Sequence, residues 1–256
     1  MPGTRSVRAA ARFVTPAALM MSVSLGLCPI TLAGSDPYAD TVEAFDLGRG
    51  GTPSFDNPLA VLGEPTRFTG EGFFPSVVSP FSPPYLPDEI LSIGIGGFIT
   101  VAFDEPVTND PGNPFGIDLL IFGNTGFIDD AFPEGLIGGV FSDGGGIVEV
   151  SADGRTWHEV PDIGADGLFP TLGYLDAGPY DTVPGAVPSD FTRPVDPSVG
   201  FIDIIGLDYA ALLKLYNGSG GGTGIDLAWV GLESISYVRV SVPRDAGATI
   251  EIGGVA

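Results

Sequence analysis

Glycine and proline, 39 and 24 of 256 residues, punctuate the chain more often than a helical protein tolerates well. Between them lie short runs rich in Val, Ile and Phe: 41–47, 90–95, 98–103, 117–122, 147–151, 156–160, 201–206, 225–232, 237–242 and 248–252. β-Branched and aromatic residues bounded by turn residues predict strands, and this many short strands predict an all-β sandwich or barrel. Alternation assigns the faces. In FITVAF, Ile99, Val101 and Phe103 share one side; in YVRVSV, Val238, Val240 and Val242 do, with Arg239 and Ser241 opposite. One buried and one solvated face is what a sandwich layer requires.

One short helix is expected over DYAALLKLYNG. Asp208 suits the N-cap, Tyr209, Leu212, Leu213 and Tyr216 fall at helical spacing, and Asn217 and Gly218 end it. Two long Pro-rich loops, 49–88 and 161–200, are rich in aromatic residues, which argues for order. They are expected to fold over one end of the sandwich.

The first 33 residues read as a secretory signal peptide. Arg5, Arg8 and Arg12 precede the apolar run FVTPAALMMSVSLGL, and TLA closes at Ala33. Residues 34–256 then form a single exported β-sandwich domain, extracellular, at the cell surface or in the periplasm. The only cysteine, Cys28, lies in the leader, so the exported part has no disulfide and no thiolate site. No later run has membrane length, so no membrane insertion is expected after the leader is removed. Without the three leader arginines, ten basic residues become seven against 32 acidic ones, and a net charge of −22 becomes −25. Such a surface repels nucleic acid and anionic lipid.

Most catalytic chemistries lack their parts. A Ser-His-Asp triad would have to use the sole histidine, His158, and no serine stands in a GxSxG context. One histidine and no exported cysteine leave zinc without ligands. GSGGGTG (218–224) follows a helix and opens a strand, the reverse of a dinucleotide loop, and reads as a flexible connector. A polysaccharide hydrolase working through two carboxylates stays open, because 32 acids neither exclude such a pair nor select one. The segment TNDPGNPFGID gathers Asn109, Asp110, Asn113 and Asp118. Its spacing is not that of an EF-hand. It reads either as an Asx-turn loop or as a structural calcium site. GIDL occurs at 116–119 and again at 224–227, which suggests similar strand-start positions for Asp118 and Asp226. In VEVSADGRTWHEV, a hairpin is expected with Val148, Val150 and Trp157 toward the core, Gly154 in the turn and His158 toward solvent or a neighbouring group on the sheet surface. Trp229 alternates with Ile225 and Leu227 and is assigned to the core.

The order of four segments carries a resemblance. SIGIGGFITVAFDEPV leads to GIDLLIFGN, then VSADGRTW, then GIDLAWVGL with YVRVSV. Together they resemble a family of exported bacterial cell-surface proteins with a discoidin-like, galactose-binding-like jelly-roll domain, over roughly residues 38–255. The resemblance implies a jelly-roll sandwich, loops at one end that bind carbohydrate or another surface ligand, and a structural calcium. The long aromatic insert at 161–200 departs from the short loops of discoidin domains, so ligand residues do not transfer. The expected function is a non-enzymatic exported binding module for glycan or cell-surface material, with Tyr174, Tyr180 and Phe191 as stacking platforms and Asp190 beside them. The alternatives are a calcium-stabilised structural protein of the envelope or matrix, and the carboxylate hydrolase.

Overall fold

The computed structural model describes residues 36–141 and 145–256; the expected leader, 1–33, lies outside the described residues. Strands follow the apolar runs: β1 (Thr41–Asp46), β2 (Phe68–Thr69), β3 (Ser76–Val77), β4 (Leu91–Ile93), β5 (Phe98–Thr108), β6 (Leu119–Gly123), β7 (Gly126–Asp129), β8 (Ile137–Phe141), β9 (Ile147–Ser151), β10 (His158–Glu159), β11 (Thr223–Ile225), β12 (Ser234–Ser241) and β13 (Ile250–Val255). Two short helices, α1 (Phe201–Ile204) and α2 (Tyr209–Tyr216), lie between β10 and β11.

The architecture is an all-β sandwich. One sheet runs β1-β5-β12-β9-β10 and the other β11-β6-β13-β4, with every ladder antiparallel. Both contribute inward side chains to one core: Ile99, Val101, Val148, Val150, Val238 and Val240 from the first, and Leu91, Ile93, Ile121, Ile225, Ile250 and Ile252 from the second. The alternation expected in β5 and β12 is therefore observed. β6 is apolar on both faces for a physical reason. Leu119 and Ile121 enter the sandwich core, while Leu120 and Phe122 pack outward against Phe191 and Ala256.

The long loops build a second apolar cluster outside the sandwich. Phe81, Phe127, Ile137, Leu172 and Ile204 close around Tyr209, Leu212 and Tyr216 of α2. The helix forms as its sequence indicates: Asp208 accepts the Ala211 N–H at 2.8 Å, and Asn217 takes a left-handed φ of 49°. The short pairs β2-β3 and β7-β8 brace this region, and neither stands out in the sequence.

Four sequence expectations are corrected. FIDIIG begins as α1 rather than a strand, because the Asp203 carboxylate accepts the Gly200 N–H (2.9 Å) and caps a helical turn. GSGGGTG is packed rather than loose. Ser219, Gly220, Gly221 and Gly222 are buried, and a Cβ on Gly220 would overlap the Phe191 ring. The two GIDL segments are antiparallel neighbours, with Ile225 opposite Leu119, so Asp118 precedes its strand and Asp226 follows its own. In the hairpin, His158 pairs with Val150 and so shares the inward-facing side, which puts Trp157 on the outer face. There the Arg239 guanidinium lies 3.8 Å from the Trp157 ring centre, and Glu149 sits 3.5 Å from Arg239.

Candidate functional site: a loop-walled cavity at Trp229

The second half of IDLAWVGL is not a strand. Asp226 accepts the Ala228 N–H at 2.8 Å, residues Leu227–Val230 form a 3-10 turn, and Gly231 closes it at φ 71°. A positive φ is cheap only for glycine. The turn breaks the alternation that assigned Trp229 to the core, and Trp229 stands 43% exposed.

Trp229 lines a cavity of about 400 Å³ with Phe169, Val199 and the Gly222–Gly224 backbone; Thr223 and Asp162 supply its polar side chains. The wall is set by the 161–200 loop. Gly222 N–H donates to the Phe169 carbonyl (2.9 Å), and Phe169 rests edge-on against Tyr216 of α2 at 6.0 Å. Asp162 holds a left-handed φ of 58°, a conformation that costs on the order of 1 kcal/mol outside glycine and that aspartate tolerates better than most residues. Its carboxylate and the Trp229 indole N–H have no hydrogen-bond partner among the described residues. An open aromatic face beside one unused acceptor and one unused donor can stack an apolar face and orient hydroxyl groups.

The residues expected to bind glycan sit elsewhere, and none lines this cavity. Phe191 is corrected from platform to core: it is 1% exposed, meets Phe122 edge-on at 5.1 Å, and carries the Arg67 guanidinium 4.0 Å above its ring. Tyr180 packs edge-on against Phe132 at 4.9 Å and donates its hydroxyl to Asp129 at 3.1 Å. Burial, reinforced by that carboxylate, pushes the phenol up to about 12. Tyr174 is half-buried and bridges Pro188. Asp190 is exposed, and its Oδ1 accepts both the N–H and the hydroxyl of Thr192.

The Asp/Asn loop is organised by its own donors. Asp118 Oδ1 accepts from Asp110 N–H and Asn113 Nδ2 (both 2.9 Å), and Oδ2 accepts the Leu227 N–H at 3.0 Å. Asp110 Oδ1 accepts the Gly112 N–H, and Asn109 donates to the Leu232 carbonyl. Calcium needs six to eight oxygen ligands. Here N–H groups point at the carboxylates, and no group of three or more acidic, His or Cys side chains is placed to hold a metal among the described residues. The arrangement fits an Asx-turn bracket between β6 and the turn after β11.

Asp129 plays the same bracketing part in the second loop region. Its oxygens accept the N–H groups of Ala131, Gly135 and Leu136 as well as the Tyr180 hydroxyl. Partial burial pulls its carboxyl upward, but these four donors outweigh it and leave the group below its ordinary value.

No protein-family model and no curated protein matches this chain. Sequence reasoning missed Trp229 and Asp162 as site residues. The signals were present: Asp226 and Gly231 bracket a turn, and Pro161-Asp162 begins a loop.

Proposed function

We propose that this chain is an exported, non-enzymatic saccharide-binding module whose ligand seats at Trp229. The observation that carries the reading is the pairing of a 43% exposed tryptophan with an unpartnered carboxylate in one cavity of about 400 Å³. Sugars bind by laying a C–H-rich face on an aromatic ring while a few fixed polar groups take their hydroxyls. Indole offers the largest such face, and Asp162 accepts from two adjacent hydroxyls. Export follows from the leader-like residues 1–33, and a galactose-binding-like jelly roll is the strand plan that best suits a sandwich with a binding end built from loops. Fold analogy alone assigns no ligand.

The test is a panel of neutral oligosaccharides scored by thermal melting, because a ligand of the native state raises the melting temperature. At least one neutral saccharide should raise it in the native chain, and Asp162→Asn should reduce that rise. A panel that shifts nothing, or a shift unchanged in Asp162→Asn, would sink this reading.

A further inference from the structure

At one end of the first sheet, beside the turns that lead into β5 and out of β12, basic residues collect in a molecule that otherwise has few. Three of the seven basic residues in 36–256, Arg49, Arg239 and Arg244, line two adjoining cavities of about 320 and 430 Å³ that share Gly96 and Arg244. The three differ in how they are held. Arg239 is fixed: Trp157 lies 3.8 Å below its guanidinium, Phe98 lies 5.8 Å away, its Nε donates to Thr100 Oγ1 at 3.3 Å, and Glu149 is its ion-pair partner at 3.5 Å. Arg49 and Arg244 are exposed and make no ion pair or side-chain hydrogen bond among the described residues. Acids outnumber bases 32 to 10 over the chain, so carboxylates to pair them were plentiful.

The floor between them is backbone. A Cβ on Gly48 would overlap the Gly94 carbonyl, and one on Gly97 would meet the Asp46 carbonyl at 2.6 Å, so the two turns pack main chain to main chain. Their amides are already committed: Gly48 N–H to Asp46, Gly96 N–H to the Val242 carbonyl, and Arg49 N–H to the Ile95 carbonyl. Recognition at this spot therefore falls to the two free guanidinium groups. Each is a planar fork of donors matched to an oxyanion, and a half-buried aromatic ring, Phe98, borders them.

We propose that Arg49 and Arg244 form an oxyanion site for an acidic saccharide, with a sugar carboxylate or sulfate ester held between the two guanidinium groups and the sugar ring beside Phe98. Charge complementarity selects this occupant. Among the described residues, this cavity brings together two arginines without an ion-pair partner in a strongly acidic protein. The site is separate from the Trp229 cavity, shares no lining residue with it, and does not depend on the reading given for that cavity.

The experiment is calorimetric titration of the full chain at about 20 mM salt with polygalacturonate, dextran sulfate and unmodified dextran. Binding of either polyanion supports the site, and which of the two binds tells carboxylate from sulfate ester. Raising salt to about 200 mM should weaken it by roughly tenfold, as expected for exposed charges. The Arg49→Gln/Arg244→Gln double variant should lose about tenfold or more in affinity, while Trp229→Ala should bind the polyanion normally. Protection of Arg49 and Arg244 from phenylglyoxal by the polyanion checks the same point in the unaltered chain. No binding of either polyanion, binding of dextran by the Trp229→Ala variant equal to that of the polyanion, undiminished binding by the double variant, or absence of protection would overturn the proposal.

Discussion

The sandwich core and the loop-built shell around it are held by different means. Inside the sandwich, β-branched residues alternate along long strands, and adhesion is spread over many side chains such as Ile99, Val101, Val148 and Val240. In the shell, elements are short or irregular, and aromatic rings, Phe81, Phe127, Tyr209 and Tyr216, fill the space. Single carboxylates then fix the path of the chain: Asp129 gathers four donors, Asp118 three, and Asp176 the amides of Ala186 and Val187. Distributed packing tolerates local loss. Hub-held loops place individual side chains in unusual positions, and Asp162 and Trp229 come together where the 161–200 loop meets the turn after β11.

The largest effect is expected where the sandwich and the shell meet. Phe191→Ala should cost about 3–5 kcal/mol in urea unfolding, since the ring is buried between Phe122, Arg67 and the Gly220 backbone. A loss below about 1 kcal/mol would return Phe191 to the surface. Ile121→Ala, inside the sandwich, should cost about 2–5 kcal/mol and leave saccharide binding by the remaining folded protein unchanged. A smaller effect, about 1–2 kcal/mol, is expected for Trp157→Ala, because this ring supports Arg239 on an outer face and is not core.

The contribution of Asp129 depends on pH. Asp129→Asn should cost about 1 kcal/mol after solvent screening, through weakened bonds to the 131–136 amides. Its folded carboxyl lies below the ordinary 3.8, so its contribution is present above 3.8 and is lost as pH falls through the lower folded value. The stability gap between native and variant proteins should thus be constant from about pH 7 to 5 and close only below pH 3.8. A gap that widens as pH falls would contradict the bracketing role of Asp129.

What the sequence disclosed follows the same division. Alternation in FITVAF and YVRVSV, and the 208–217 helix with its Asp208 cap, were legible because periodicity and capping are local. Phe191 and Trp229 exchanged their expected places for a nonlocal reason. Phe191 is buried by the return of the chain at Ser219–Gly222, and Trp229 is turned out by a cap that interrupts an apparent strand. The faces of Trp157 and His158 were inverted because the register of β10 on β9 depends on the length of the intervening turn, which alternation alone does not count. The β7-β8 pair was hidden by its glycines, Gly126 and Gly139, which remove the side chains that mark a strand.

Seating of the ligand at Trp229 is read most directly from the emission of that indole. The chain has two tryptophans, Trp157 and Trp229, so Trp157→Phe leaves Trp229 as the sole indole reporter. Fluorescence of that variant, titrated with a neutral saccharide that raises the melting temperature of the native chain, should show a saturable blue shift as the sugar covers the ring. A saccharide that binds while the Trp229 emission stays unchanged would contradict the account.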